Sequence, residues 1–186
     1  MNDMRTLLEN LKRSFGRASE NEEESRASRG ILFVCMGNIC RSPTAEGVFR
    51  KVLAERAPEL EIHIDSAGTH GYHDGAPPDP RACRAAERRG IDLKPLRARR
   101  VTPEDFERFE LVLAMDEQNR EFLLEICPPE YRHRVRLLLE FAPHLSYREV
   151  PDPYYGGSTG FEHVLDLVEE AAVGLLEHLR NTPKSA

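Results

Sequence analysis

Residues 31–56, ILFVCMGNICRSPTAEGVFRKVLAER, decide the fold. The first five, ILFVC, form a continuous apolar run rich in β-branched side chains, the pattern of a strand buried on both faces. Ser42-Pro43-Thr44 then opens the segment AEGVFRKVLAER, with Pro43 suited to the first turn of a helix. Working outward, IHIDS (62–66) predicts a second strand, followed by a Gly- and Pro-rich loop to Pro80 and a helix over 81–90 that ends at Gly90. ELVLAM (110–115) predicts a third strand, with Asp116 as N-cap of the helix DEQNREFLLEI, and RVRLLL (134–139) a fourth. A long helix over 160–180 places Val164, Leu167, Val168, Ala171, Leu175 and Leu179 on one face. Strands alternating with helices imply βαβ units, hence a parallel sheet covered on both faces, and ligands of such sheets bind beyond the carboxyl ends of the strands.

The chain has 186 residues, 40% of them hydrophobic, enough for one domain plus tails. Its net charge of −6 disfavours nucleic acid as a partner, because phosphate binding requires excess Lys and Arg. No apolar run reaches the roughly 20 residues that cross a bilayer, and the N-terminus lacks the apolar core of a secretory signal, so no integral membrane segment and a cytoplasmic location are expected. Residues 1–29 stand apart. GRASENEEESRASR (16–29) holds no Val, Ile, Leu or aromatic residue and reads as disordered, while Met4, Leu7, Leu8, Leu11 and Phe15 recur at helical spacing in a segment that is either a frayed helix or a docking element. The domain is therefore expected over 30–186. Four cysteines in a reducing compartment are read singly, as core fillers or as chemistry.

Cys35 and Arg41, separated by five residues on a loop that feeds a helix N-terminus, form an anion cradle. Backbone N–H groups and the helix dipole point inward, and the guanidinium forks onto two phosphate oxygens. The same donors favour the thiolate of Cys35, the nucleophilic form of cysteine. Gly37 allows close backbone approach, Asn38 tolerates a left-handed conformation, and Ser42 donates to the sulfur. Cys-x5-Arg alone equally describes a buried strand end with two structural cysteines; the apolar run before it and the Ser-Pro after it favour the chemical reading.

Through FVCMGNICRSPTAEGVFRK, DSAGTHGYHDGAPPDPRA, RARRVTPEDFERFELVLAMDEQN and VPDPYYGGSTGFEHVLDLVE, the sequence resembles the low-molecular-weight protein tyrosine phosphatases of bacterial type from about Gly30 to about Arg180. The resemblance implies a three-layer α/β sandwich around a four-stranded parallel sheet, flavodoxin-like, and hydrolysis of phosphotyrosine through a cysteinyl-phosphate without metal or cofactor. It assigns the nucleophile to Cys35, the phosphate-binding arginine to Arg41, the general acid to Asp152, and the phosphate-binding loop to Met36, Gly37, Asn38, Ile39, Cys40, Arg41 and Ser42. A positioned acid agrees with the chemistry, since a tyrosyl oxygen leaves more easily when protonated, typically by about 10²- to 10⁴-fold. Tyr154 and Tyr155 match the aromatic walls of the substrate site and Tyr72 the opposite rim. Cys40 matches a second loop cysteine that captures an oxidised nucleophile as a disulfide, or is an inert packed thiol. Cys83 and Cys127 read as structural.

The implied partner is a tyrosine-phosphorylated protein, a bacterial tyrosine kinase among the candidates. One departure from the family is Leu96, where a His commonly helps hold the loop Asn, so an altered hydrogen-bond network around Asn38 is expected. Arsenate reductases of similar fold need a further close cysteine pair, which Cys83 and Cys127, 44 positions apart, do not supply. Protein-arginine phosphatases resemble the same family but carry Thr where Ile39 stands. A catalytically silent phosphotyrosine-binding module is disfavoured by Cys35, Arg41 and Asp152 occurring together. The stretch 81–100 holds eight basic and two acidic residues, either a solvated face or a surface that steers acidic phosphopeptides.

Overall fold

The computed structural model describes residues 29–182, so the expected N-terminal extension lies outside the described residues except for Arg29. In chain order the elements are β1 (Arg29–Cys35), α1 (Arg41–Arg56), β2 (Ile62–Gly68), α2 (Pro80–Glu87), α3 (Asp105–Arg108), β3 (Leu111–Ala114), α4 (Glu117–Ile126), β4 (Val135–Leu137) and α5 (Ser158–Asn181). Two 3₁₀ turns, Pro129–Arg134 and Leu138–Phe141, flank β4. The sheet is wholly parallel in the order β2-β1-β3-β4, which is the expected four-stranded parallel architecture.

Alternation along the central strands builds two cores. Ile31, Phe33 and Cys35 of β1, with Leu111 and Leu113 of β3, face a core shared with α1, α2 and α5. Leu32 and Val34, with Val112 and Ala114, face the opposite core, filled by Phe106, Phe109 and Leu123. Both faces are covered, which is why the two central strands, β1 and β3, read as unbroken apolar runs.

Several boundaries differ from expectation. β1 begins at Arg29, inside the stretch read as extension, because its guanidinium pairs with Glu110 at 2.7 and 2.8 Å and donates to the carbonyls of Leu179 and Thr182 at the end of α5. Helix α2 stops at Glu87, and the chain turns through Gly90 at φ 73°, with Ile91 N–H reaching back to the Ala86 carbonyl, a left-handed C-terminal closure. β4 is three residues long because Glu140 accepts from the Leu137 N–H at 3.0 Å and curls Leu138–Phe141 into a 3₁₀ turn. Helix α3, four residues long, is too short to show periodicity.

From β1 the chain winds to β2 on one side and, later, to β3 on the other. The switch lies between β1 and β3, so a crevice opens at the carboxyl ends of these strands, where Cys35 and Asp116 sit.

Candidate active site

The loop expected to bind phosphate runs from Cys35, the last residue of β1, to Arg41, the first of α1. No side-chain oxygen caps α1, so none competes for its first-turn N–H groups. Asn38 has a φ of 55° and turns the loop inward. The Cys35 sulfur accepts from the Asn38 N–H at 3.3 Å and lies 3.1 Å from the Ser42 hydroxyl, which also reaches the Ala67 carbonyl at 3.3 Å.

Asn38 is the hub of a buried network. Its Nδ2 donates to Ser42 Oγ and to Ser66 Oγ, both at 2.9 Å, and its Oδ1 accepts from the Arg99 N–H at 2.9 Å. Ser66 in turn donates to buried Glu46 at 2.7 Å, which also pairs with Arg50. Arg99 is fixed by carboxylates of Asp65 and Asp105. The network around Asn38 is therefore complete without a histidine at position 96: the backbone N–H of Arg99, in the loop that follows α2, occupies the acceptor, and Leu96 packs against the core instead.

Arg41 is almost fully buried. Its Nη1 donates to Asp116 Oδ2 at 2.5 Å and to the Val150 carbonyl at 3.1 Å, while Nη2 faces Asp152 Oδ2 at 3.3 Å. Burial opposes its charge, but the neighbouring Cys35, Asp116 and Asp152 outweigh that and hold its pKa above the ordinary value. Asp116 does two things at once: Oδ1 caps α4 through the Asn119 N–H at 2.7 Å, and Oδ2 orients the guanidinium. The cap was legible in the sequence; the grip on Arg41 was not, because it depends on β1 and β3 being neighbours.

These groups converge on a cavity of about 220 Å³ lined by Cys35, Met36, Gly37, Ile39, Cys40, Arg41, Asp152 and the three expected tyrosines. His73 also lines it, packed against Gly37, and sequence reasoning passed over it because it sits in a loop without periodicity. Tyr72 is exposed and stacks on His70 with ring centroids 5.3 Å apart; Tyr154 and Tyr155 meet edge to face at 5.0 Å. Ser42 stands behind the sulfur rather than in the cavity wall. Cys40 is buried, and its thiol is pushed up to about 12 by that burial, with Asp79, Cys35 and Asp152 adding to the effect. Among the described residues no cluster of His, Cys, Asp and Glu is arranged to hold a metal ion.

A cysteine and an arginine on one tight loop, at the switch point of a parallel sheet, define the class of cysteine-dependent phosphomonoesterases. The sequence profile of the low molecular weight phosphotyrosine protein phosphatases matches residues 30–185. The Synechocystis protein slr0328, named after the same family, is 45% identical over 150 residues, covering 80% of this chain and 95% of its own. YfkJ of Bacillus subtilis, a low molecular weight protein-tyrosine-phosphatase, is 37% identical over 81% of this chain and 95% of its own. The crystal structure of a protein tyrosine phosphatase from Entamoeba histolytica with Hepes in the active site superimposes with a TM-score of 0.79 at 40% identity, covering 82% of this chain and 97% of that one. The chain belongs to the low molecular weight protein tyrosine phosphatase family and is an enzyme of that kind.

Proposed function

We propose that the protein hydrolyses phosphotyrosine in protein substrates, with Cys35 as nucleophile, Arg41 as phosphate clamp and Asp152 as general acid and base. The observation that carries this reading is the convergence of the Cys35 sulfur, the Arg41 guanidinium and the Asp152 carboxyl on one cavity walled by tyrosines. The Cys35 sulfur attacks phosphorus, the bond from phosphorus to the tyrosyl oxygen breaks, and Asp152 delivers its proton to that oxygen. The ionised Asp152 then takes a proton from water as the water oxygen attacks phosphorus. The sulfur–phosphorus bond breaks, releasing inorganic phosphate, and the returning sulfur charge meets the Asn38 N–H and the Ser42 hydroxyl. Arg41, held from behind by Asp116, stabilises the phosphoryl oxygens in both steps.

Tyr72, Tyr154 and Tyr155 would flank the aromatic ring of the substrate. Ile39, an apolar side chain in the same wall, suits an aryl phosphate better than a phosphorylated guanidinium. Peptides bearing phosphotyrosine, phosphoserine or phosphoarginine, compared at equal concentration, test this: dominant turnover of phosphoarginine would replace the reading. Cys35→Ser should abolish turnover while retaining phosphate binding, and full activity in that variant would sink the mechanism.

Three further assignments belong to the same proposal. Cys40 serves as the resolving thiol: peroxide oxidises Cys35 to a sulfenic acid, and the Cys40 sulfur displaces water from it to form a disulfide. Its high pKa makes this capture slow near neutral pH, and Cys40→Ser should turn reversible inactivation by peroxide into irreversible loss. Residues 1–28 are surplus to catalysis, so their deletion should leave hydrolysis of p-nitrophenyl phosphate unchanged. The enzyme acts in the cytoplasm on tyrosine-phosphorylated proteins, a bacterial tyrosine kinase among them; cell fractionation and trapping with the Cys35→Ser protein test both.

A further inference from the structure

The loop that carries Asp152 is anchored firmly at its start. Val150 N–H donates to the Met115 carbonyl at 2.8 Å, and Arg41 donates to the Val150 carbonyl. Beyond that point the chain runs out over the surface: the Asp152 side chain is 45% exposed and Tyr155 is 96% exposed. The carboxyl that must meet a leaving oxygen is thus not locked by packing.

One oxygen, Oδ2, faces Arg41 Nη2 at 3.3 Å; the other is oriented by a relay of hydrogen bonds. Asp152 Oδ1 accepts from the Tyr154 N–H at 3.1 Å, and the Tyr154 carbonyl accepts from Arg81 Nη1 at 2.9 Å. Arg81 is itself clamped, its Nε and Nη2 donating to the two oxygens of Asp79 at 3.0 and 2.8 Å. Its guanidinium lies 4.9 Å from the ring centroid of buried Phe161 and 5.3 Å from that of Tyr154. Asp79 caps α2 through the Arg81 N–H and donates its own N–H to the Ile39 carbonyl, inside the phosphate loop, at 2.8 Å. The chain Ile39–Asp79–Arg81–Tyr154–Asp152 therefore joins the loop that holds the nucleophile to the loop that holds the acid.

We propose that Arg81, pinned by Asp79, is a positioning residue that sets the Asp152 carboxyl at a fixed place over the phosphate loop. This rests on the assignment of Asp152 as the general acid. The planar fork of arginine suits the task, because one edge of the guanidinium grips a carboxylate with two N–H groups while a third reaches a carbonyl. Lysine, a single ammonium, lacks that fork.

A misplaced acid has a signature that a merely weakened fold lacks. Phenolate, with a conjugate-acid pKa near 10, leaves poorly without a proton, whereas 2,4-dinitrophenolate leaves unaided. The test is kcat/KM for phenyl phosphate and 2,4-dinitrophenyl phosphate with the full-length chain and its Arg81→Gln, Arg81→Lys, Asp79→Asn and Asp152→Ala variants. The double variant Arg81→Gln/Asp152→Ala completes the set. Arg81→Gln should lose about 10-fold on phenyl phosphate, a fraction of the full acid contribution, and under about twofold on the dinitrophenyl ester. Arg81→Lys should not restore the difference. Once Asp152 is Ala, the Arg81 change should cost under about twofold on either ester, because residues that act through one another are not additive.

Equal losses on the two esters, or full additivity in the double variant, would overturn the proposal and leave Arg81 a role in folding alone. If Asp152→Ala leaves the ratio between the esters unchanged, the acid assignment itself fails, a result distinct from failure of Arg81 alone. Should the Arg81 variants not fold, Asp79→Asn decides, since it keeps the arginine and loosens its clamp: a loss confined to phenyl phosphate supports the relay and an equal loss on both esters refutes it.

Discussion

Asn38 holds a left-handed backbone and three side-chain hydrogen bonds at once, so two substitutions separate its roles. Asn38→Gly accepts the φ without strain but strands Ser66, Ser42 and the Arg99 N–H, and should lower stability by about 2–3 kcal/mol, together with kcat/KM. Asn38→Ala should be worse by about 1 kcal/mol, the cost of a Cβ in that region. Urea unfolding of the two variants checks both figures; equal stabilities would show that backbone strain is negligible here. Asp116 offers a similar separation. Asp116→Asn keeps an oxygen for the Asn119 N–H and removes the charge that orients Arg41, so kcat/KM for an aryl phosphate should fall about 10-fold, with little change in melting temperature. A melting point lowered in step with activity would assign Asp116 to the helix alone.

At the scale of elements, α5 lies hard against the 3₁₀ turn after β4. A Cβ on Gly174 would stand 1.8 Å from the Phe141 carbonyl oxygen, so Gly174→Ala must push the helix off the core. Thermal unfolding should show a loss of about 1–3 kcal/mol, and wild-type stability would mean that the helix shifts freely. Elements with local signatures were legible in the sequence. β1 and α1 announce themselves as an apolar run and a Ser-Pro helix start, and Cys35 and Arg41 are held together by one loop. The partners of that loop were not. Glu46, Ser66, Arg99 and Asp116 come from four different segments, and only the strand order 2-1-3-4 brings the last three to the carboxyl edge of β1. The relay through Arg81 was hidden for the same reason, since 73 positions separate Arg81 from Tyr154 and the basic stretch 81–100 reads equally well as a solvated face.

For the whole molecule, the two faces of the sheet also set its response to pH. His63 is exposed on its outer side but stacks on Phe109 with ring centroids 5.3 Å apart; partial desolvation on that side lowers its pKa, aided by Arg108, Arg50 and Arg99 against Asp65. His178, edge-on to Phe141, is lowered by burial, with Arg136 and Arg29 adding and Glu110 opposing. Both folded-state pKa values lie below the unfolded value of about 6.5, so the unfolded chain binds protons more readily. The stability they contribute is fully present above about pH 6.5 and is lost as pH falls through the folded values. The melting temperature should therefore drop between pH 7 and pH 5, and His63→Phe should flatten the drop; an unchanged slope would remove His63 from the account.

The clasp made by Arg29 has a consequence for how the chain could be rewired. It ties the first residue of β1 to the last turn of α5, at the amino end of the strand, opposite the loop from Cys35 to Arg41. A short linker from Thr182 to Arg29, with new ends opened at the exposed Pro58–Glu59 turn, gives a circular permutant whose phosphate loop is undisturbed. Such a permutant should hydrolyse p-nitrophenyl phosphate at close to the parent rate, and a folded but inactive product would show that the order of the chain, and not only its final packing, matters to the site.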